Sequence, residues 1–424
     1  MVLDTSYGIN DNEDNEDKEL SFVMTEDEYS DLERTIHELM YDILIDDALL
    51  YSDPDFHENI LNDIQYLFNE DLIEANMITP DENIDDYISQ IVETFFELYY
   101  PTRSITDSNL ISYTDIEQTT QTIMVLKSLP QPTQKTTEWY EYRHNLLTAS
   151  SIWKALSSES QRNSLIYEKC KPLADEKSNW FGGGSLQWGI LYEMVSVMVY
   201  EKKYNTRVAD FGCIQHINHS FIGASPDGIN VDPKSDRYGR MIEIKNIVNR
   251  DITDKPKEEY WIQMQVQMET CDLDECDFIE TRFKEYESPE AYADDINQES
   301  KGVILCFLQR NVPDSKPIYK YMPLDLDMTY QDWIINTKDD FKDTLVLYTT
   351  TYWYMDEFSC ILVKRNPNWF QSALPTILTT WETILKERKT GYEHRAAKKR
   401  EVTQENHNIT NVIKLKKNTC LVKL

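Results

Sequence analysis

The segment Met241-Ile242-Glu243-Ile244-Lys245 alternates apolar and charged residues, and Ser225-Pro226-Asp227-Gly228 lies upstream of it. In an extended strand, residues two apart share a face. Glu243 and Lys245 therefore project together, while Ile242 and Ile244 face an apolar side. Phe221–Ala224 reads as a short strand, and the Ser-Pro-Asp-Gly turn after it can deliver Asp227 beside Glu243. Two carboxylates and a lysine then converge on one point of a sheet. A few hard oxygen ligands suit Mg²⁺, which keeps waters for other partners. Such a cation can stabilise a pentavalent phosphoryl centre and generate hydroxide, and a neighbouring lysine can position the attacking water. The Glu-Ile-Lys tripeptide alone carries little weight, because charged strand faces are common on surfaces.

The chain of 424 residues carries a formal charge of −33 with 41% hydrophobic residues. That balance argues against wholesale disorder and against a protein that coats nucleic acid with a basic surface. The charge is unevenly placed. Residues 1–100 hold 29 acidic and two basic residues, and residues 386–424 hold 11 basic and four acidic ones. Residues 1–24 read as a disordered acidic tail. Residues 25–101 read as an acidic helical bundle. Its first helix opens on the capping box Thr25-Glu26-Asp27-Glu28, a second stripe runs from Ile60 to Leu72, and a third helix starts at Thr79-Pro80-Asp81-Glu82. Residues 102–137, rich in Thr, Ser, Gln and Pro, read mainly as a linker with one short helix around Ile116–Leu129. Residues 138–390 mix strands and helices, and residues 391–424 form a basic tail. Strands are expected at Arg207–Cys213, Phe221–Ala224, Met241–Asn246, Phe278–Phe283, Val303–Leu308 and Ile318–Met322. Helices are expected at Ser150–Leu156, Leu186–Tyr200, Glu259–Cys271 and Trp369–Lys389.

Four further segments accompany the strand. They are Trp139-Tyr140-Glu141-Tyr142-Arg143 leading to Thr148-Ala149-Ser150, then Trp188-Gly189-Ile190-Leu191-Tyr192-Glu193, then Ser225-Pro226-Asp227-Gly228, and last Tyr260-Trp261-Ile262-Gln263-Met264-Gln265. In this order and spacing, with Glu243-Ile244-Lys245, they resemble the PD-(D/E)XK nuclease superfamily. More narrowly, residues 138–285 resemble the lambda-exonuclease-like, YqaJ-type viral recombinase family. The resemblance implies an α/β (α+β) fold: a restriction-endonuclease-like central mixed sheet flanked by helices, here preceded by the acidic helical module. It implies that Asp227, Glu243 and the backbone carbonyl of Ile244 ligate Mg²⁺, with Mn²⁺ able to substitute, and that Glu193 reaches the metal from its helix. Lys245 would orient the attacking water, and Gln263 would hold that water or a phosphate oxygen. Arg143 and Ser150 would grip a terminal 5′-phosphate, in keeping with the match of a guanidinium fork to phosphate.

The implied activity is Mg²⁺-dependent hydrolysis of DNA, as 5′-to-3′ exonucleolysis of duplex ends in viral-type recombination or end processing. The implied partners are DNA, further copies of the chain in a ring, and a single-strand annealing or other recombination protein. Two alternatives stay open: an endonuclease of the same fold, and a catalytically silent DNA-binding or assembly protein. The latter is expected to lose a metal carboxylate or the lysine, and this sequence keeps them. The polar insert Val231–Arg240 departs from the family pattern and reads as an extended hairpin loop.

Other features read more plainly. His216 and His219 lie in a turn between strands, and Cys271 and Cys276 lack a second pair, so neither is expected to hold zinc. Gly182-Gly183-Gly184-Ser185 lacks the lysine of a phosphate loop and reads as a flexible entry to the Glu193 helix. Lys398-Lys399-Arg400 and Lys414–Lys417 read equally as a nuclear-import or phosphate-tracking arm and as a solvated tail. Tyr348–Phe358 reads as core strand rather than a base-stacking surface. No apolar run is long enough to span a bilayer, and Met1-Val2-Leu3-Asp4 does not open like a secretory leader. Seven scattered cysteines point to an intracellular, reducing compartment, the nucleus or cytoplasm of a host cell if the protein is viral.

Overall fold

The computed structural model describes residues 24–74, 77–79, 84–106, 115–134, 136–173, 184–312 and 315–397. The acidic tail, Pro80-Asp81-Glu82 of the third helix start, Gly182-Gly183 and the basic clusters from Lys398 onward lie outside the described residues.

Three helices build the head: α1 (Glu26–Asp46), α2 (Phe56–Glu74) and α3 (Asp85–Leu98), with a 3-10 turn at Ala48–Ser52. The capping box closes α1 in both directions, Glu28 N donating to Thr25 Oγ1 at 3.3 Å and Thr25 N to Glu28 Oε2 at 2.6 Å. Ile36, Met40, Ile88 and Phe95 point inward and are fully buried, as the helical spacing predicts.

Beyond the head the order is α4 (Ile116–Ser128), α5 (Thr137–His144), β1 (Leu147–Thr148), α6 (Ala149–Leu156), α7 (Glu159–Cys170) and α8 (Ser185–Tyr204). Then come β2 (Val208–Ala209), β3 (Ile214–Gln215), β4 (Ile222–Ala224), β5 (Gly228–Asn230), β6 (Met241–Asn246) and α9 (Glu258–Cys271). The last elements are β7 (Glu275–Glu285), α10 (Pro289–Asp294), β8 (Lys301–Gln309), β9 (Ile318–Tyr321), α11 (Tyr330–Phe341), β10 (Leu345–Lys364) and α12 (Pro367–Thr390). A seven-stranded mixed sheet runs β2-β5-β6-β7-β10-β8-β9, with β6 and β7 parallel and the other neighbours antiparallel. A small sheet, β1-β4-β3, lies beside it. The expected α/β class, a mixed central sheet flanked by helices, is what the chain forms.

Helices α8 and α9 cover opposite faces around β6. Ile242 and Ile244 pack with Tyr200 of α8, while Glu243 is bonded to Gln263 and Gln267 of α9. The alternation read from the sequence thus becomes a strand with one apolar and one chemical face.

Two expectations change. The described parts of residues 102–137 are no loose linker. Arg103 is 3% exposed, and its guanidinium donates to Ser52 O at 2.9 Å. Its amide donates to His57 Nε2 at 2.9 Å, and its carbonyl accepts the Trp261 indole N–H at 2.9 Å. Ile105 bridges to Leu362 of β10. Helix α4 docks through Thr120, whose hydroxyl lies 2.8 Å from Tyr238 OH. Gly239 lets it approach, because a Cβ there would sit 2.3 Å from Thr119 Cγ2. Head and sheet domain accordingly share one hydrophobic core, which runs from Met40 and Phe95 through Tyr51 to Trp261 and Trp369.

The insert Val231–Arg240 is likewise more than a solvent loop. It connects β5 to β6 as expected, but it turns Arg237 and Arg240 inward onto Asp277, which is fully buried. Arg240 Nη1 meets Asp277 Oδ1 at 3.1 Å, Arg240 Nε meets Glu275 Oε2 at 3.0 Å, and Tyr200 OH donates to Asp277 at 2.5 Å. A buried carboxylate needs such partners, and the insert supplies them.

Candidate active site

Asp227 leaves the end of the β4 turn as β5 begins, and Oδ2 accepts the backbone N–H of Ile244 at 2.7 Å. That bond ties the turn to β6 beyond the last β5–β6 pair, Gly228 with Ile242. In a strand the N–H and C=O of one residue point to the same edge. The Ile244 carbonyl therefore faces the side on which Asp227 sits. Lys245 Nζ donates to Glu243 Oε1 at 2.5 Å and stands 4.7 Å from the centre of the Tyr260 ring. Gln263 Nε2 donates to the same Oε1 at 2.8 Å, and Gln267 Nε2 donates to Oε2 at 2.8 Å. Glu243 is 1% exposed, so this set of donors replaces the water it has lost.

The electrostatics follow from the crowding. Burial pushes the Asp227 carboxyl well above the usual carboxylate range, and the charges of Glu243 and Glu193 push it further. Lys245 and the Ile244 N–H pull the other way. Burial would lower the Lys245 ammonium, but Glu243 and Asp227 outweigh it and hold its pKa above the ordinary lysine value. Glu193, half-buried on α8, thus lies within electrostatic reach of Asp227.

This donor set fits a hard divalent cation. Repulsion within a buried pair of carboxylates with a third nearby disfavours their full ionisation, and a cation relieves that. Among the described residues no three His, Cys, Asp or Glu side chains gather closely enough to hold an ion alone. Backbone and solvent oxygens would have to complete the shell of any such ion. His216 and His219 instead stack around Phe370, and burial lowers the His216 pKa to about 4.

A second cluster adjoins the first. Thr136 caps α5, accepting from Trp139 N at 3.2 Å, and the helix presents Trp139 and Arg143 on one face. The Arg143 guanidinium lies 4.3 Å from the centre of the Trp139 ring. Its Nη1 donates to Ser225 Oγ at 3.0 Å and its Nη2 to Ser150 Oγ at 3.2 Å. Ser150 is in the first turn of α6, and Ser225 is two residues before Asp227. One guanidinium therefore links a helix N-terminus to the loop that carries Asp227. An arginine flanked by two hydroxyls at a helix start can receive a phosphate.

The structure brings Asp227, Glu243, Lys245 and Gln263 together, with Glu193 alongside, and sets Arg143 and Ser150 in the adjoining cluster. The amide of Gln263 donates to Glu243. Two contributors were not singled out from the sequence: Gln267, one helical turn beyond Gln263, and Ser225. The i, i+4 repeat of glutamines on α9 was the available signal.

Residues 138–274 match the model of the YqaJ-like viral recombinase domain. Over 300 residues, 62% of the chain, the sequence is 28% identical to an uncharacterised protein of Acanthamoeba polyphaga mimivirus. The match covers 54% of that relative, so the chain spans about half its length. Among solved structures, the chain is similar to an alkaline exonuclease from Laribacter hongkongensis, at 19% identity and a TM-score of 0.34, over 61% of this chain and 95% of that one. It is also similar to a phage-related exonuclease from Haemophilus somnus, at 15% identity and a TM-score of 0.31, over 59% of this chain and 96% of that one. All the candidate residues, from Arg143 to Gln267, fall inside residues 138–274, the span that is similar to the YqaJ-like viral recombinase domain.

Proposed function

We propose that the chain is a divalent-metal-dependent deoxyribonuclease that digests duplex DNA from phosphorylated 5′ ends. The observation that carries this reading is the meeting of Asp227, Glu243 and Lys245 at the end of β6, with the Arg143 cluster reached through Ser225. Asp227, Glu243 and the Ile244 carbonyl would hold Mg²⁺ or Mn²⁺, with Glu193 beside them. The ion, when bound, supplies charge stabilisation at phosphorus and an acidified water. Lys245 orients the attacking water. Gln263 and Gln267 fix both oxygens of Glu243, so that the carboxylate does not rotate. Arg143, Ser150 and Ser225 receive a terminal phosphate and set the register of the scissile bond.

A pseudo-nuclease reading is disfavoured because neither metal carboxylate nor the lysine has been replaced. All six cysteines among the described residues are free and buried, in keeping with a reducing compartment. No helix among those residues is long and apolar enough to cross a membrane.

The test is a time course with Mg²⁺ on linear and circular duplex DNA carrying 5′-phosphate or 5′-hydroxyl ends. Linear phosphorylated DNA is expected to disappear first, with mononucleotides released from the start and circles left intact. Nicking of circles at the same rate would make the protein an endonuclease, and no digestion of any substrate would overturn the reading.

A further inference from the structure

Helix α5 ends at Arg143 and His144, and two further cations close over its last carbonyls. Lys169, in the last turn of α7, donates Nζ to Arg143 O at 2.7 Å. Arg388, near the end of α12, donates to His144 O at 2.7 Å, to Lys169 O at 2.9 Å and to Asn145 Oδ1 at 3.3 Å. The Cys213 thiol lies against both Arg143 and Ser225 and feels the charge of Lys169. Three cations thus crowd one junction. Among the described residues none of the three is ion-paired with a carboxylate, although the chain has 75 acidic residues. Like charges brought together away from water are unfavourable unless an anion joins them.

We infer that Lys169 is a specificity-determining residue of the Arg143 pocket, the second cation that lets it prefer a doubly charged terminal phosphate monoester over a singly charged phosphodiester. This inference rests on the nuclease reading above and names what its end-binding pocket selects. The guanidinium supplies the fork, Ser150 and Ser225 supply hydroxyls, and Lys169 supplies the extra charge that distinguishes an end from an internal phosphate. Arg388 is a positioning residue. Its donors are committed to carbonyls that hold Lys169 and the end of α5 in place.

The environment of Lys169 agrees. Burial lowers its pKa to about 7, and the neighbouring Arg143 and Arg388 lower it too, with only the Cys213 thiol and the exposed Glu168 opposing. Glu168 is itself paired with Lys154 at 3.0 Å. His144 faces the same junction, with Nδ1 3.4 Å from Arg388 Nη2 and Nε2 2.9 Å from Lys171 O. An incoming dianion would draw a proton onto Lys169. End selectivity is then expected to fall as pH rises from about 7 to 9, a range in which a terminal phosphate is already doubly charged.

The test measures binding of the full chain, in EDTA, to three duplexes with 5′-phosphate, 5′-methylphosphate or 5′-hydroxyl ends. The unmutated protein is expected to prefer the phosphate over its methyl ester about tenfold at pH 7, one charge-assisted contact, and less at pH 9. Lys169→Met should bring that ratio close to one, and Lys169→Arg should restore it and make it independent of pH. A ratio that survives Lys169→Met, with only a lower melting temperature, would reduce Lys169 to a helix cap and overturn the inference. Unmutated protein that binds all three ends alike would overturn the Arg143 pocket itself. Failure to digest DNA with Mg²⁺, while the binding preference persists, would count against the nuclease reading alone.

Discussion

The side-chain amide of Gln267 donates to Oε2 of Glu243 at 2.8 Å, on the opposite oxygen from the one held by Gln263 and Lys245. Gln267 is fully buried, and no other described donor is bonded to that oxygen. Replacing it by leucine leaves a buried carboxylate oxygen without its partner, at a cost of about 1–3 kcal/mol. Gln267→Leu is therefore expected to melt lower and to digest DNA at least about tenfold more slowly. Thermal unfolding and digestion rates on one preparation check both. Parental turnover in a destabilised variant would restrict Gln267 to a structural part.

Asp227 sets activity against stability. Its charge is buried and repelled by Glu243 and Glu193, so in metal-free buffer it opposes folding. Asp227→Asn can keep the bond to Ile244 N and removes the repulsion. The variant is expected to melt higher than the unmutated protein in EDTA while losing at least about 100-fold in nuclease rate with Mg²⁺. Mg²⁺ should raise the melting temperature of the unmutated protein more than that of the variant. Equal melting in EDTA would show that the three carboxylates do not strain one another.

The proposed end pocket makes a separate prediction. Arg143→Ala removes a guanidinium that bridges Ser150 and Ser225 and stacks on Trp139. The loss is expected to abolish the preference for 5′-phosphorylated over 5′-hydroxyl ends, a change of about 1.5–3 kcal/mol in discrimination. Initial rates on matched substrates measure it.

Docking of the head depends on pH. His57 accepts the Arg103 N–H at 2.9 Å, so it must be neutral, and burial lowers its pKa to about 4. The unfolded chain takes up that proton near pH 6.5. Stability from this contact is therefore complete above about pH 6.5 and is lost as pH falls toward 4, by an amount on the order of 3 kcal/mol. Limited proteolysis between pH 7 and 4.5 should show the junction around residues 103–106 opening first at the acid end. For the same reason, deletion of residues 1–105 is expected to yield an unstable protein, because it strips the cover from Trp261. A well-folded truncated protein would show that the head is not needed to cover Trp261.

Much of the site was legible because its signals are local. Met241–Asn246 forms the expected strand, and the pairing of Glu243 with Lys245 follows from a two-residue period. The misreadings share a physical cause. Strand β7 extends past Phe278–Phe283 to Glu275–Glu285, and its flanking charges looked like strand ends. Asp277 and Glu280 are nevertheless buried, because Arg237, Arg240 and Arg250 reach them from elsewhere in the chain. Conversely, Arg207–Cys213 has the composition of a strand, but only Val208–Ala209 finds a partner, in β5. Arg103 looked like a linker residue because its partners, Ser52, His57 and Trp261, lie 46 to 158 positions away. Sequence periodicity records which face is apolar and leaves out which distant group will satisfy a charge.

Helix α9 carries Trp261 into the core shared with the head, and two residues later it carries Gln263 to the Glu243 carboxylate. One rigid rod thus anchors the acidic quarter of the molecule at one point and sets the chemistry at the next. The consequence concerns ancestry. A recombination event that swapped the head for another module would have to bring a new carbonyl for the Trp261 indole and a new lid for its ring, or else disturb the helix that aims the glutamines. A substitute head would have to meet both demands at once, because the same helix answers to the core and to the carboxylate.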